Sequence, residues 1–198
     1  MIKIIFFLLS FSALAADKYI FAVFHGYGFA ENENVKMRTK ISPELQKAKI
    51  VKVYDSAHNV REKSYSEILD NFQCQGGVQQ RKDLGLVILG YSWGAKKAYD
   101  FSKDYFEKCG RKADRAYMID GVLKLVTRFP FAPIAQVCKN YYKTINPIHG
   151  KALKDCENFD RTQICIYPDG SQKKGFECHQ AVILDSQKLA IEDMLKNL

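Results

Sequence analysis

Gly90-Tyr91-Ser92-Trp93-Gly94 places a serine between two glycines, after the apolar run Leu84–Leu89 and before an amphipathic stretch. A serine at a sharp strand-to-helix turn can act as a nucleophile. Its hydroxyl stands at a helix N-terminus, where unpaired amides and the positive dipole end can hold a developing oxyanion. Small residues two before and two after the serine let neighbouring elements approach closely. The plainer reading is a tight turn carrying an inert serine. His25-Gly26-Tyr27-Gly28 follows a second apolar run. It reads as a glycine loop whose Tyr27 amide, together with that of Trp93, could form the oxyanion site. The plainer alternative is an ordinary glycine turn, and His25 there orders the loop rather than acting as a base.

A serine hydroxyl is a weak nucleophile without a base. The chain has 4 histidines. His25 belongs to the glycine loop. His58 sits in polar SAHNVRE and reads as surface, His149 lies in NPIHGKA, and His179 lies in FECHQAV. An acid must then hold the imidazole in one tautomer. Asp120 ends an apolar run in MIDGV, while Asp155, Glu157 and Asp160 follow in a cysteine-bearing loop. Capping of the next loop is the bland role for Asp120. This chemistry calls for no cofactor and no metal, and no cluster of ligand residues is visible. There is no nucleic-acid module and no phosphate-binding glycine loop.

These residues must be positioned by an alternation of strands and helices. Apolar runs predict strands at Lys18–Phe24, Ile50–Tyr54, Leu84–Leu89 and Ala116–Ile119, with a fifth inside Val137–Ile145. Ala95 to Cys109 is the clearest helix, with Ala95, Ala98, Tyr99, Ser102, Tyr105, Phe106 and Cys109 on one face and Gly110 at its end. Ser64–Phe72 is a weaker helix, and Gln187–Leu198 closes the chain. Alternation of this kind implies an α/β fold with a mostly parallel sheet of about five or six strands, covered on both faces. Leu123–Val137 is apolar where a loop is usually polar. It reads as an acyl-pocket lining or a small lid, or equally as a helix packed on the sheet edge.

The chain has 198 residues, 47% of them hydrophobic and 26% charged, which excludes a disordered tail and suits one domain. Met1 to Ala16 (MIKIIFFLLSFSALAA) reads as a secretory signal peptide, with Lys3 before an apolar run and a small-x-small site at Ala13–Ala15. An uncleaved anchor is the alternative. Residues 17–198 then form a single secreted or periplasmic domain without a transmembrane segment. The 6 cysteines have no CxxC spacing and read as disulfides in that compartment. Cys74 with Cys109 is one expected pair, leaving four cysteines to staple the C-terminal third. The formal charge, +8 overall and +7 without Lys3, suits an anionic envelope surface, but the lysines are scattered.

The HGYG loop, the GYSWG turn, a later acid and a late histidine resemble the α/β-hydrolase superfamily, and within it the small secreted lipases and esterases. The resemblance spans most of the mature chain. It implies a minimal α/β-hydrolase fold whose first strand lies between the second and third. It also implies an acyl-enzyme on Ser92, with Tyr27 and Trp93 as oxyanion donors and Gly26, Gly28, Gly90 and Gly94 supporting the loops. Superfamily order runs serine, acid, histidine, which points to His179 as base, with His149 as its rival. Asp120 follows the strand after which some of these lipases place their acid. The more usual position, after the next strand, would select among Asp155, Glu157 and Asp160. The substrate class implied is a small-molecule or lipid ester. Acyl transfer or amide cleavage would use the same residues, and an inactive envelope-binding hydrolase fold is the non-enzymatic alternative.

Overall fold

A computed structural model describes residues 16–26, 49–56, 63–124, 127–145 and 147–198. The expected signal peptide through residue 15, together with Tyr27, Gly28 and His58, lies outside the described residues. Strands β1 (Lys18–Phe24), β2 (Ile50–Ser56), β5 (Leu84–Tyr91), β6 (Ala113–Ile119), β9 (Ala135–Tyr142) and β10 (Glu157–Asp160) form one sheet, ordered β10-β9-β6-β5-β1-β2. Every pairing in it is parallel. The first strand does lie between the second and the third of the five expected from sequence. Two short antiparallel pairs, β3 (Cys74–Gln75) with β4 (Val78–Gln79) and β7 (Val122–Lys124) with β8 (Thr127–Arg128), stand outside the sheet.

Alternate residues of the strands feed two cores. Ile20, Ala22 and Phe24 of β1, with Leu86 and Ile88 of β5, pack with Ala98, Phe101 and Tyr105 of helix α2 (Gly94–Cys109) and with Ile68 of helix α1 (Lys63–Asp70). Phe21 and Val23 of β1, Val87 and Leu89 of β5, and Tyr117 and Ile119 of β6 pack instead with Ile183, Ala190 and Met194 of helix α3 (Gly175–Asn197). The central strands are thus buried on both faces, which explains their continuous apolar sequence. The protein has an α/β fold, a parallel six-stranded sheet with helices on both sides.

Three expectations need correction. The last helix begins at Gly175, twelve residues before Gln187, so His179 lies inside it rather than ahead of it. Its early turns contain the β-branched pair Val182 and Ile183, a weak helix former by propensity. Burial of Cys178, Val182 and Ile183, and the Cys165–Cys178 disulfide, override that preference. The segment bearing Glu157 and Asp160 is not all loop, because it forms β10 along one side of β9. Its sequence, ENFD, gave no apolar signal, as suits a short edge strand. Leu123–Val137 holds no helix among its described residues. Phe129 instead enters the α2-side core and joins Tyr99 and Phe131 in an aromatic cluster.

Three disulfides join Cys74 to Cys109, Cys138 to Cys156 and Cys165 to Cys178. The first is the expected pair and ties the C-terminus of α2 to β3. The far end of α3 is tied down by Asp193, whose carboxylate accepts from Lys139 Nζ (2.7 Å), Tyr117 hydroxyl (2.7 Å) and Arg115 Nη1 (3.2 Å). Among the described residues no helix is long and apolar enough to cross a membrane.

Candidate active site

Parallel strands deliver their C-terminal ends to one edge of the sheet, and the crevice opens where the strand order reverses. Here that point falls between β1 and β5. Gly26 follows β1, Ser92 follows β5, Asp120 follows β6 and Lys143 follows β9, so adjacent strands supply adjacent positions. His179 reaches the same edge from the first turns of α3.

Ser92 is buried and has φ of 51°. Asp120 has φ of 45°, and of the three non-glycine residues with positive φ among those described, these are two. Such conformations cost about 1–3 kcal/mol each and persist where the surroundings enforce them. The enforcement is visible. Ser92 N donates to the Ile119 carbonyl (3.0 Å), Val122 N donates to the Ser92 carbonyl (3.1 Å), and Asp120 N donates to the Tyr141 carbonyl (2.7 Å). Ser92 is therefore stitched to the end of β6 and the start of β7, and Asp120 to the end of β9.

The glycines of the turn are needed for close approach. A Cβ on Gly94 would lie 1.9 Å from the Phe24 carbonyl oxygen, because α2 starts directly against β1. A Cβ on Gly90 would meet Ala98 of α2 at 2.7 Å, and one on Gly26 would meet Ser92 itself at 2.8 Å. Trp93 follows Ser92 at the start of α2 and is half-buried. Its amide belongs to the helix N-terminus, where the dipole is positive.

Asp120 is fully buried and receives three donors. His179 Nδ1–H donates to Oδ2 at 2.6 Å, Lys143 Nζ lies 3.0 Å from the same oxygen, and Gly150 N donates to Oδ1 at 2.5 Å. Burial alone would raise the Asp120 pKa. The His179 hydrogen bond and charge, the Lys143 charge and the Gly150 amide outweigh that and hold it below the ordinary carboxylate value. Lys143 is also fully buried, and burial pulls its pKa down against the opposing pull of Asp120. The bond at Nδ1 makes Nε2 the basic nitrogen of the His179 ring.

Of the candidate residues, Ser92, Asp120 and His179 come to one edge of the sheet, and Asp120 rather than Asp155 or Asp160 holds His179. Asp160 does stand at a strand end, that of β10, but its carboxylate accepts from the Thr162 amide (2.8 Å). His149 is turned to Arg128 Nη2 (2.9 Å) at the surface. His25 is fully buried, donates from Nε2 to Asp55 Oδ1 (2.8 Å) and stacks on Tyr91 (centroids 5.4 Å, 12° between planes). Sequence reasoning missed Lys143 and Asp55. Asp55 comes directly after the apolar run Ile50–Tyr54 as Asp120 comes directly after Ala116–Ile119, a signal that was present in the sequence. Lys143 in YYKT carries no such signal. No group of three metal-ligating side chains occurs among the described residues.

No family model, no curated protein and no solved structure matches this chain.

Proposed function

We propose that the protein is a secreted or periplasmic serine hydrolase of the α/β-hydrolase type, cleaving carboxylic esters through an acyl-enzyme on Ser92. The observation that carries this reading is the strained Ser92 between β5 and α2, one strand away from a buried Asp120–His179 pair. Ser92 Oγ attacks the ester carbonyl and His179 Nε2 takes its proton. Asp120 holds the imidazole tautomer and stabilises its charged form. The Trp93 amide and the Tyr27 amide hold the oxyanion. Collapse of the tetrahedral species expels the alcohol, which takes the proton from His179. Water, deprotonated by the same ring, then attacks the acyl carbonyl; the bond to Ser92 Oγ breaks, the acid leaves, and Ser92 takes the proton back from His179. The strand order, with the first strand between the second and third, supports the superfamily resemblance. The three disulfides support an oxidising compartment.

The test is a fluorophosphonate probe and a short-chain chromogenic ester, applied to the protein and to Ser92→Ala. The protein is expected to label stoichiometrically and to turn over ester, and Ser92→Ala to do neither. Unchanged turnover by Ser92→Ala overturns the assignment. Failure of the unmodified protein to label favours an inactive binding protein instead.

A further inference from the structure

Lys143 is the one site residue with no assigned task, and its surroundings suggest one. Its side chain is fully buried at the end of β9, and its ammonium contacts the Asp120 oxygen that also accepts from His179. It donates as well to the Ile148 carbonyl. An ordinary serine–histidine–carboxylate group carries one negative charge at rest, and protonation of the imidazole neutralises it. With Lys143 in place the group is neutral at rest and becomes positive when the ring takes a proton. Coulomb repulsion in a buried setting makes that second state harder to reach.

We propose that Lys143 is a positioning residue of the Asp120–His179 pair. It fixes the carboxylate in one orientation and, by cancelling its charge, weakens the pull that would favour protonation of the imidazole. This rests on the hydrolase reading above. The groups facing the pair come from several elements. Asp120 follows β6, Lys143 follows β9, and the Gly150 amide comes from the next loop. The Phe176 ring stands 6.0 Å from His179 on α3 itself. Other charges nearby in sequence are engaged elsewhere. Glu177 accepts from the Tyr167 hydroxyl, and Arg128 bonds His149. The His25–Asp55 pair lies on the β1–β2 side of Ser92. Besides His179, Lys143 is the cation within ion-pair distance of Asp120 among the described residues.

The experiment uses Lys143→Met, Lys143→Gln and Lys143→Arg. Two readouts are followed against pH: the rate of fluorophosphonate labelling, and the NMR titration of the His179 ring, assigned with His179→Gln. Both uncharged variants are expected to move the acid limb of labelling and the ring titration to higher pH together. Lys143→Arg is expected to leave both near their original position. Slower labelling with an unmoved limb and an unmoved ring titration makes Lys143 merely structural and overturns the proposal. So does a result in which neither uncharged variant folds while Lys143→Arg does. A shifted ring titration in a protein that never labels supports the coupling of Lys143 to the pair and overturns the hydrolase reading instead.

Discussion

Gly26→Ala adds one methyl group against the proposed nucleophile. The new Cβ would lie 2.8 Å from Ser92 Cβ, 3.1 Å from Ser92 Oγ and 3.2 Å from the Tyr91 carbonyl oxygen. Ordinary contact begins at 3.4 Å, so the end of β1 and Ser92 must part by about 0.6 Å. Ser92 cannot swing clear, because its amide and carbonyl are bonded to Ile119 and Val122. Overpacking of this kind costs about 1–3 kcal/mol. A misplacement of about 1 Å costs about 100-fold in rate, so a shift a little over half as large predicts a loss of roughly 10- to 30-fold. We would measure the second-order rate of fluorophosphonate labelling beside the urea unfolding midpoint. The expected outcome is a folded protein, lowered modestly in midpoint and strongly in labelling rate. Labelling at the original rate with an unshifted midpoint would mean that Gly26 does not touch Ser92. The approach of β1 to the serine turn, on which the site is built, would then be wrong.

Gly94→Ala sets a Cβ 1.9 Å from a backbone oxygen of a central strand, so no cooperatively unfolding protein is expected by circular dichroism and gel filtration. Asp120 contributes stability through a depressed folded pKa. That contribution is complete above the ordinary carboxylate range and fades as pH falls through the depressed value. Asp120→Asn should therefore flatten the acid side of the stability–pH curve. It should also cost about 3–5 kcal/mol at neutral pH, since it leaves Lys143 buried without its counter-charge; urea titrations across the acid range check both. Replacing Cys165 and Cys178 with alanine opens a crosslink between residues 13 apart in sequence. A loss of about 3 kcal/mol is expected in chemical denaturation. Labelling should also slow, because Cys178 adjoins His179.

The central strands and α2 were legible because burial on both faces leaves continuous apolar runs, and because α2 shows a clean amphipathic face. The serine turn was legible because close packing leaves few choices but glycine at residues 90 and 94. The edge strand β10 was not, since ENFD has neither alternation nor branching, and its pairing with β9 makes it a strand. The first half of α3 was obscured by weak local propensity that tertiary burial and a disulfide override. The partner of His179 was one of several carboxylates in the sequence, and only the approach of α3 to the end of β6 selects Asp120. Lys143 was illegible for a simpler reason: one lysine among many reads as solvated, and its burial follows from where β9 ends.

Ser92, Asp120 and Lys143 ride on the sheet, but His179 is mounted on a helix that could tilt against it. Asp193 lies fourteen residues further along that helix, about 21 Å away. Its grip on Lys139, Tyr117 and Arg115 fixes the angle of the whole beam. The Cys165–Cys178 crosslink fixes the near end. The aim of the imidazole is thus a matter of two mounts, one of which touches nothing that reacts. Drift at Asp193 would be felt first as a misaimed imidazole, so on the hydrolase reading proposed above a constraint on His179 would reach a carboxylate at the far end of α3.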